Sequence, residues 1–197
     1  MNDGGYINII QAFEKKELRD EAIRILADLL VKNGKSSEKI IFSLDKNNEV
    51  VEEIIFSKDR LMDLTLSKLT FLELEFDGFL KDLDAVPATL NVYEDSDCYG
   101  LTLRLPMSAI IKSNALDYEI FCEEEKLTNI CKELFALTAP SYLIAGLELE
   151  LEESPMRLFE MVSKGNTYPI AFFHIDGSFV DYSGSYCIDG ITLRANK

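Results

Sequence analysis

Residues 69–106 hold three short runs in which apolar and polar side chains alternate: LTFLELEF (69–76), ATLNVYED (88–95) and YGLTLRLP (99–106). A two-residue period marks a strand with one buried and one wet face, a pattern at home in antiparallel sheets. In the first run Leu72, Leu74 and Phe76 oppose Phe71, Glu73 and Glu75. In the other two, Leu90 and Val92 meet Leu101, Leu103 and Leu105 on one face of a hairpin whose tip is Asp95-Ser96-Asp97-Cys98. An antiparallel sheet is therefore the frame on which the rest of the chain has to pack.

Helical periodicity supplies the packing. From Glu14 to Asn33 the residues Leu18, Ala22, Ile23, Ile25, Leu26, Leu29 and Leu30 recur at three- and four-residue spacing, with Lys15, Arg19, Asp20 and Lys32 on the other side and Gly34 as a C-cap. YINII before it reads as a strand, and 39–45 and 50–56 as a hairpin turned at 46–49. Ser57 caps a short helix carrying Leu61, Met62, Leu64 and Leu66; residues 107–121 are loop or mixed structure. A second long helix runs from Glu123 to Leu137, with Leu127, Ile130, Cys131, Leu134 and Phe135 buried, and Pro140 stops it.

The stretch YLIAGLELELEESPMRLFE (142–160) reads as a strand passing straight into a helix. Leu143, Ala145, Leu147, Leu149 and Leu151 point one way; Tyr142, Ile144 and Gly146 point the other, followed there by Glu148, Glu150 and Glu152. Ser154-Pro155 starts the helix with a capping hydroxyl and proline at its first position, and the helix runs to Gly165. The remainder is a β-meander over 168–175, 178–182 and 185–194. The element order predicts an α+β fold, antiparallel sheet with helices packed on one side, in one domain over 1–197; two ferredoxin-like halves, 1–85 and 86–197, are the alternative subdivision.

Charge narrows the function. Of the net −15, residues 69–160 supply −13, from nineteen acids and six bases. Such a field repels nucleic acid and anionic lipid and speeds encounter with a basic partner. Apolar runs fall short of the roughly 20 residues a membrane span requires, so the expectation is a cytoplasmic protein that binds neither membrane nor nucleic acid. Cys98, Cys122, Cys131 and Cys187 form no CxxC pair and read as reduced, buried thiols.

Catalytic and metal signatures were weighed against these residues. The tip at Asp95 and Asp97 with Gly100 fails as a calcium loop, because Tyr99 and Pro106 stand where ligands are required. His174 is the single histidine, and no GxSxG elbow accompanies it. Glu148 and Glu150, two apart on one strand face with Glu73 and Glu75 on a neighbour, are the best case for carboxylate chemistry, so an enzyme or small-ligand binder stays open beside a binding or adaptor protein. No cofactor or metal is called for.

ATLNVYEDSDCYGLTLRLP, then a helix containing NICKELF, then YLIAGLELELEESP resembles the bacterial immunity proteins of polymorphic and contact-dependent toxin systems, over residues 88–155. The resemblance implies a non-enzymatic cytoplasmic protein that binds a cognate toxin, often a basic nuclease, and blocks it. Its implied contacts are the acids Glu94, Asp95, Asp97, Glu119, Glu123, Glu124, Glu148, Glu150 and Glu152, with Tyr93, Tyr99 and Tyr118 as aromatic anchors.

Overall fold

A computed structural model of the chain describes residues 5–32, 39–44, 51–55, 71–77, 87–95, 98–114, 119–150, 153–190 and 193–194. Among them the α+β expectation holds as a nine-stranded, open, wholly antiparallel sheet with three helices. The strands are β1 (Tyr6–Phe13), β2 (Lys39–Ser43), β3 (Glu52–Ile55), β4 (Phe71–Asp77), β5 (Pro87–Asp95), β6 (Cys98–Pro106), β9 (Tyr142–Leu147), β10 (Ile170–Ile175) and β11 (Ser178–Asp181). Their order is β11-β10-β9-β1-β6-β5-β4-β2-β3. A separate ribbon pairs β7 (Ile111–Asn114) with β8 (Glu119–Cys122), inside the stretch read as loop or mixed structure. The Gly34 cap, the 46–49 turn, the helix after Ser57 and the tip at Ser96-Asp97 lie outside the described residues.

YINIIQAF earns the middle of the sheet by being apolar on both sides. Ile7, Ile9 and Phe13 join a core on one face, and Ile10 and Ala12 join another on the reverse. β1 lies between β6 and β9, pairing Ile9 with Leu103 and with Ala145. Elements of 1–85 and of 86–197 therefore share one continuous sheet.

The first face is covered by α1 (Lys16–Lys32) and α2 (Glu124–Thr138), whose Ala22, Ile23, Leu26, Leu127, Ile130, Cys131, Leu134 and Phe135 meet Ile7, Ile9, Leu101, Leu103, Leu143 and Phe172. The second face is covered at the β1-β9-β10 end by the short α3 (Pro155–Ser163), through Leu158, Phe159 and Val162 on Ile10, Tyr142, Ile144, Ala171 and Phe173. Tyr142 anticipated this by sitting where the alternation faces away from the long helices. As expected, Ser154 caps α3, its hydroxyl accepting from the Arg157 N–H at 3.4 Å.

Two local departures matter for the site. β9 ends at Leu147 rather than running through the glutamates. Glu148 adopts a left-handed backbone, φ 45°, and donates its N–H to the Tyr6 carbonyl at 2.8 Å. That turn swings Leu149 onto the second face beside Gly146, and the Leu149 carbonyl accepts from Asn8 Nδ2 at 2.8 Å. Burial of one leucine thus overrides the period of the strand, so Glu148 and Glu150 do not share a strand face. Arg19 and Asp20, assigned by polarity to the outer side of α1, are instead buried, at 0% and 4% exposure. Among the described residues of the last run, pairing is an isolated Tyr186–Leu193 bridge.

Candidate functional site: acidic residues at two ends of the sheet

The register separates the implied contacts. Tyr93, Glu94, Asp95 and Tyr99 lie where β5 turns into β6, near the start of α1. Glu123, Glu124 and Glu148 lie at the opposite end, where β1 begins, β6 finishes and α2 starts. Seven residue steps along β6 take the chain from Tyr99 to Pro106, roughly 23 Å at the rise of a strand. Glu119 begins β8, at the end of the ribbon opposite the Ile111–Cys122 pair. Asp97, Tyr118 and Glu152 lie outside the described residues.

At the hairpin end Glu94 is already engaged. Lys16 pairs with Glu94, and Arg19 Nη1 lies 3.8 Å from the same carboxylate. Arg19 also donates through Nη2 to Asp20 Oδ1 at 2.8 Å, so the buried guanidinium sits between two carboxylates. Lys16 Nζ and Arg19 Cζ each stand 5.7 Å from the Tyr99 ring centroid, within cation–π reach. Tyr93 is on the other face, its ring laid flat over Gly100: a Cβ there would fall 1.8 Å from Tyr93 Cζ. Tyr142, on the same face, donates its hydroxyl to the Glu153 carbonyl at 2.7 Å. Tyr93, Glu94 and Tyr99 are thus parts of the packing of this end. The spacing 19, 22, 23, 26 carried the signal for Arg19, since it continues the buried stripe of α1 by one turn.

The other end is different. Glu124 is occupied: Oε2 accepts from the Ile188 N–H at 3.0 Å and Oε1 pairs with Arg194 Nη2. Glu123 is exposed and 3.4 Å from Lys126. Glu125, Glu148 and Glu150 are exposed and form no ion pair among the described residues. Arg104 lies toward this end on the second face, over the Tyr6 ring at 5.4 Å.

Two thiols and the single histidine are held by their surroundings. Burial first, then Glu124, pushes the Cys131 thiol far above its ordinary range, and the same two causes raise Cys187, so both are protonated at neutral pH. His174 Nδ1 is 2.8 Å from the Pro140 carbonyl, to which it donates, and its ring packs on Phe135 at 4.4 Å. Among the described residues no three carboxylate, thiol or imidazole groups gather as a metal site requires, and no helix is long and apolar enough to cross a membrane.

No protein-family model matches the chain, and no curated protein matches it. Among solved structures the chain is similar to Pseudomonas aeruginosa T6SS protein PA0821, with a TM-score of 0.33 and 9% identity. That alignment covers 73% of this chain and 41% of the other. A likeness so distant carries no argument, and the functional reading rests on this chain's own residues.

Proposed function

We propose that the chain is a non-catalytic binding protein of bacterial cytoplasm, an immunity protein that neutralises a cognate basic toxin by docking on its acidic surface. The observation that carries this reading is the unequal treatment of the acids: the hairpin-end carboxylate Glu94 is neutralised from within, while Glu125, Glu148 and Glu150 are exposed and, among the described residues, meet no base. Uncompensated like charge destabilises a compact chain, and a complementary partner offsets it while gaining a faster encounter. Thiols held protonated by burial support a binding role over a nucleophilic one.

The test takes the product of the gene beside this chain's own as the candidate toxin. Association is measured by stopped flow against this chain and against Glu125→Lys/Glu148→Lys/Glu150→Lys. The expected result is an association rate lowered at least tenfold at low salt, a difference that shrinks as ionic strength rises. A neighbouring product that does not bind, or whose toxicity persists on co-expression, removes the immunity reading. An equal rate for the triple variant moves the interface away from this end.

A further inference from the structure

Beyond β11 the chain folds back as a narrow strap: Ser185–Gly190 runs out, and Leu193–Arg194 returns beside it. Arg194 N–H donates to the Ser185 carbonyl at 2.9 Å, and Gly190 N–H to the Cys187 carbonyl at 2.9 Å, so the strap closes on its own hydrogen bonds. Two apolar side chains are left open to solvent on it, Tyr186 at 52% and Leu193 at 64% exposure. Its inner surface is Cys187 and Ile188, at 7% and 2%. Ile188 enters the same core as Cys131.

Both oxygens of the Glu124 carboxylate meet this strap, one through the Ile188 N–H and one through Arg194, whose Nη1 also donates to the Gly184 carbonyl at 3.0 Å. Arg194 and Glu124 retain 15% and 14% side-chain exposure, so water reaches the pair. A segment with two main-chain hydrogen bonds of its own, two buried side chains and a wetted ion pair as fastening has the makings of a local opening unit.

We propose that the strap formed by Ser185–Gly190 and Leu193–Arg194 is latched to α2 by Glu124 and opens independently of the sheet. Opening withdraws Cys187 and Ile188 from the core and releases Glu124 beside Glu123 and Glu125, adding a carboxylate to the acidic end. The effect on partner binding rests on the function proposed above; the latch itself does not.

The test is iodoacetamide alkylation of the native, full chain, with the modified cysteine located by peptide mass spectrometry. Cys98, 1% exposed in β6, is the reference core thiol. Cys187 is expected to label before Cys98, at a rate insensitive to low urea. Glu124→Gln is expected to raise the Cys187 rate about tenfold, from loss of a charge-assisted contact, and to leave the Cys98 rate unchanged. Arg194→Met serves as an independent variant acting in the same direction. Labelling of Cys187 and Cys98 together at the global unfolding rate overturns the proposal, as does an unchanged ratio of the two rates in both variants.

Discussion

Gly100→Ala is the sharpest test of how the hairpin end is built. The new methyl would stand 1.8 Å from Tyr93 Cζ and 2.0 Å from Cε1, well inside van der Waals contact, so the tyrosine ring has to leave. Its departure uncovers about 100 Å² of apolar surface, worth roughly 2.5 kcal/mol at 25 cal/mol per Å². The gain from replacing a strand glycine by alanine offsets about 0.5–1 kcal/mol. The net expectation is a destabilisation of about 1.5–2 kcal/mol, read as a fall in the urea midpoint with unchanged slope. Tyr93→Ala supplies the control: on that background Gly100→Ala should be neutral or slightly stabilising, giving a coupling of about 2 kcal/mol or more in the double-mutant cycle. A single variant within about 0.5 kcal/mol of the parent, or additive behaviour in the cycle, would refute the packing of Tyr93 on Gly100.

Two further predictions concern buried ionisable groups. Removing the carboxylate in Asp20→Ala leaves the fully buried Arg19 with Glu94 at 3.8 Å, and is expected to cost about 3 kcal/mol; Arg19→Met with Asp20→Leu should restore most of it, as measured by chemical denaturation. Alkali should also destabilise the fold, because burial holds the Cys131 thiol above its ordinary 9.0 and the Tyr142 phenol above its ordinary 10.0. Groups whose folded pKa is raised give stability that is complete below the ordinary value and lost as pH climbs past it, since the unfolded chain releases its proton first. The stability read from urea unfolding should therefore hold steady to about pH 8.5 and then fall, by up to ~1.4 kcal/mol per pH unit for each group, with Cys131→Ala making the fall shallower; a level stability to about pH 10.5 would contradict the burial of both.

Strand alternation and helical spacing made the frame legible. The runs at 69–76, 88–95 and 99–106 became three neighbouring strands, and Val92 does oppose Leu101 and Leu90 oppose Leu103. Such patterns are local, and one buried face is enough to write them. What stayed hidden depends on contacts far apart in the chain. Glu124 looked like another surface acid because Arg194, seventy residues on, is invisible to any local window. The three spaced glutamates after Leu147 read as one strand face because period alone does not reveal that Leu149 does better turned into the second core. Arg19 was assigned outward by its charge, although its spacing placed it inward; carboxylates from a neighbouring position and another strand made its burial tolerable.

The position of β1 has a consequence for how the protein is made. Ile9 pairs with Leu103 and Ala145, so the first strand of the chain waits for nearly a hundred residues for one neighbour and some forty more for the other. At about 5–20 residues per second of synthesis, that is an interval of roughly 5–30 s during which an apolar strand has no native edge to join. Its pairings are among the most non-local in the sheet, the kind that closes late and slowly. During translation the segment YINIIQAF is therefore the part of the nascent chain most in need of shelter from its own kind.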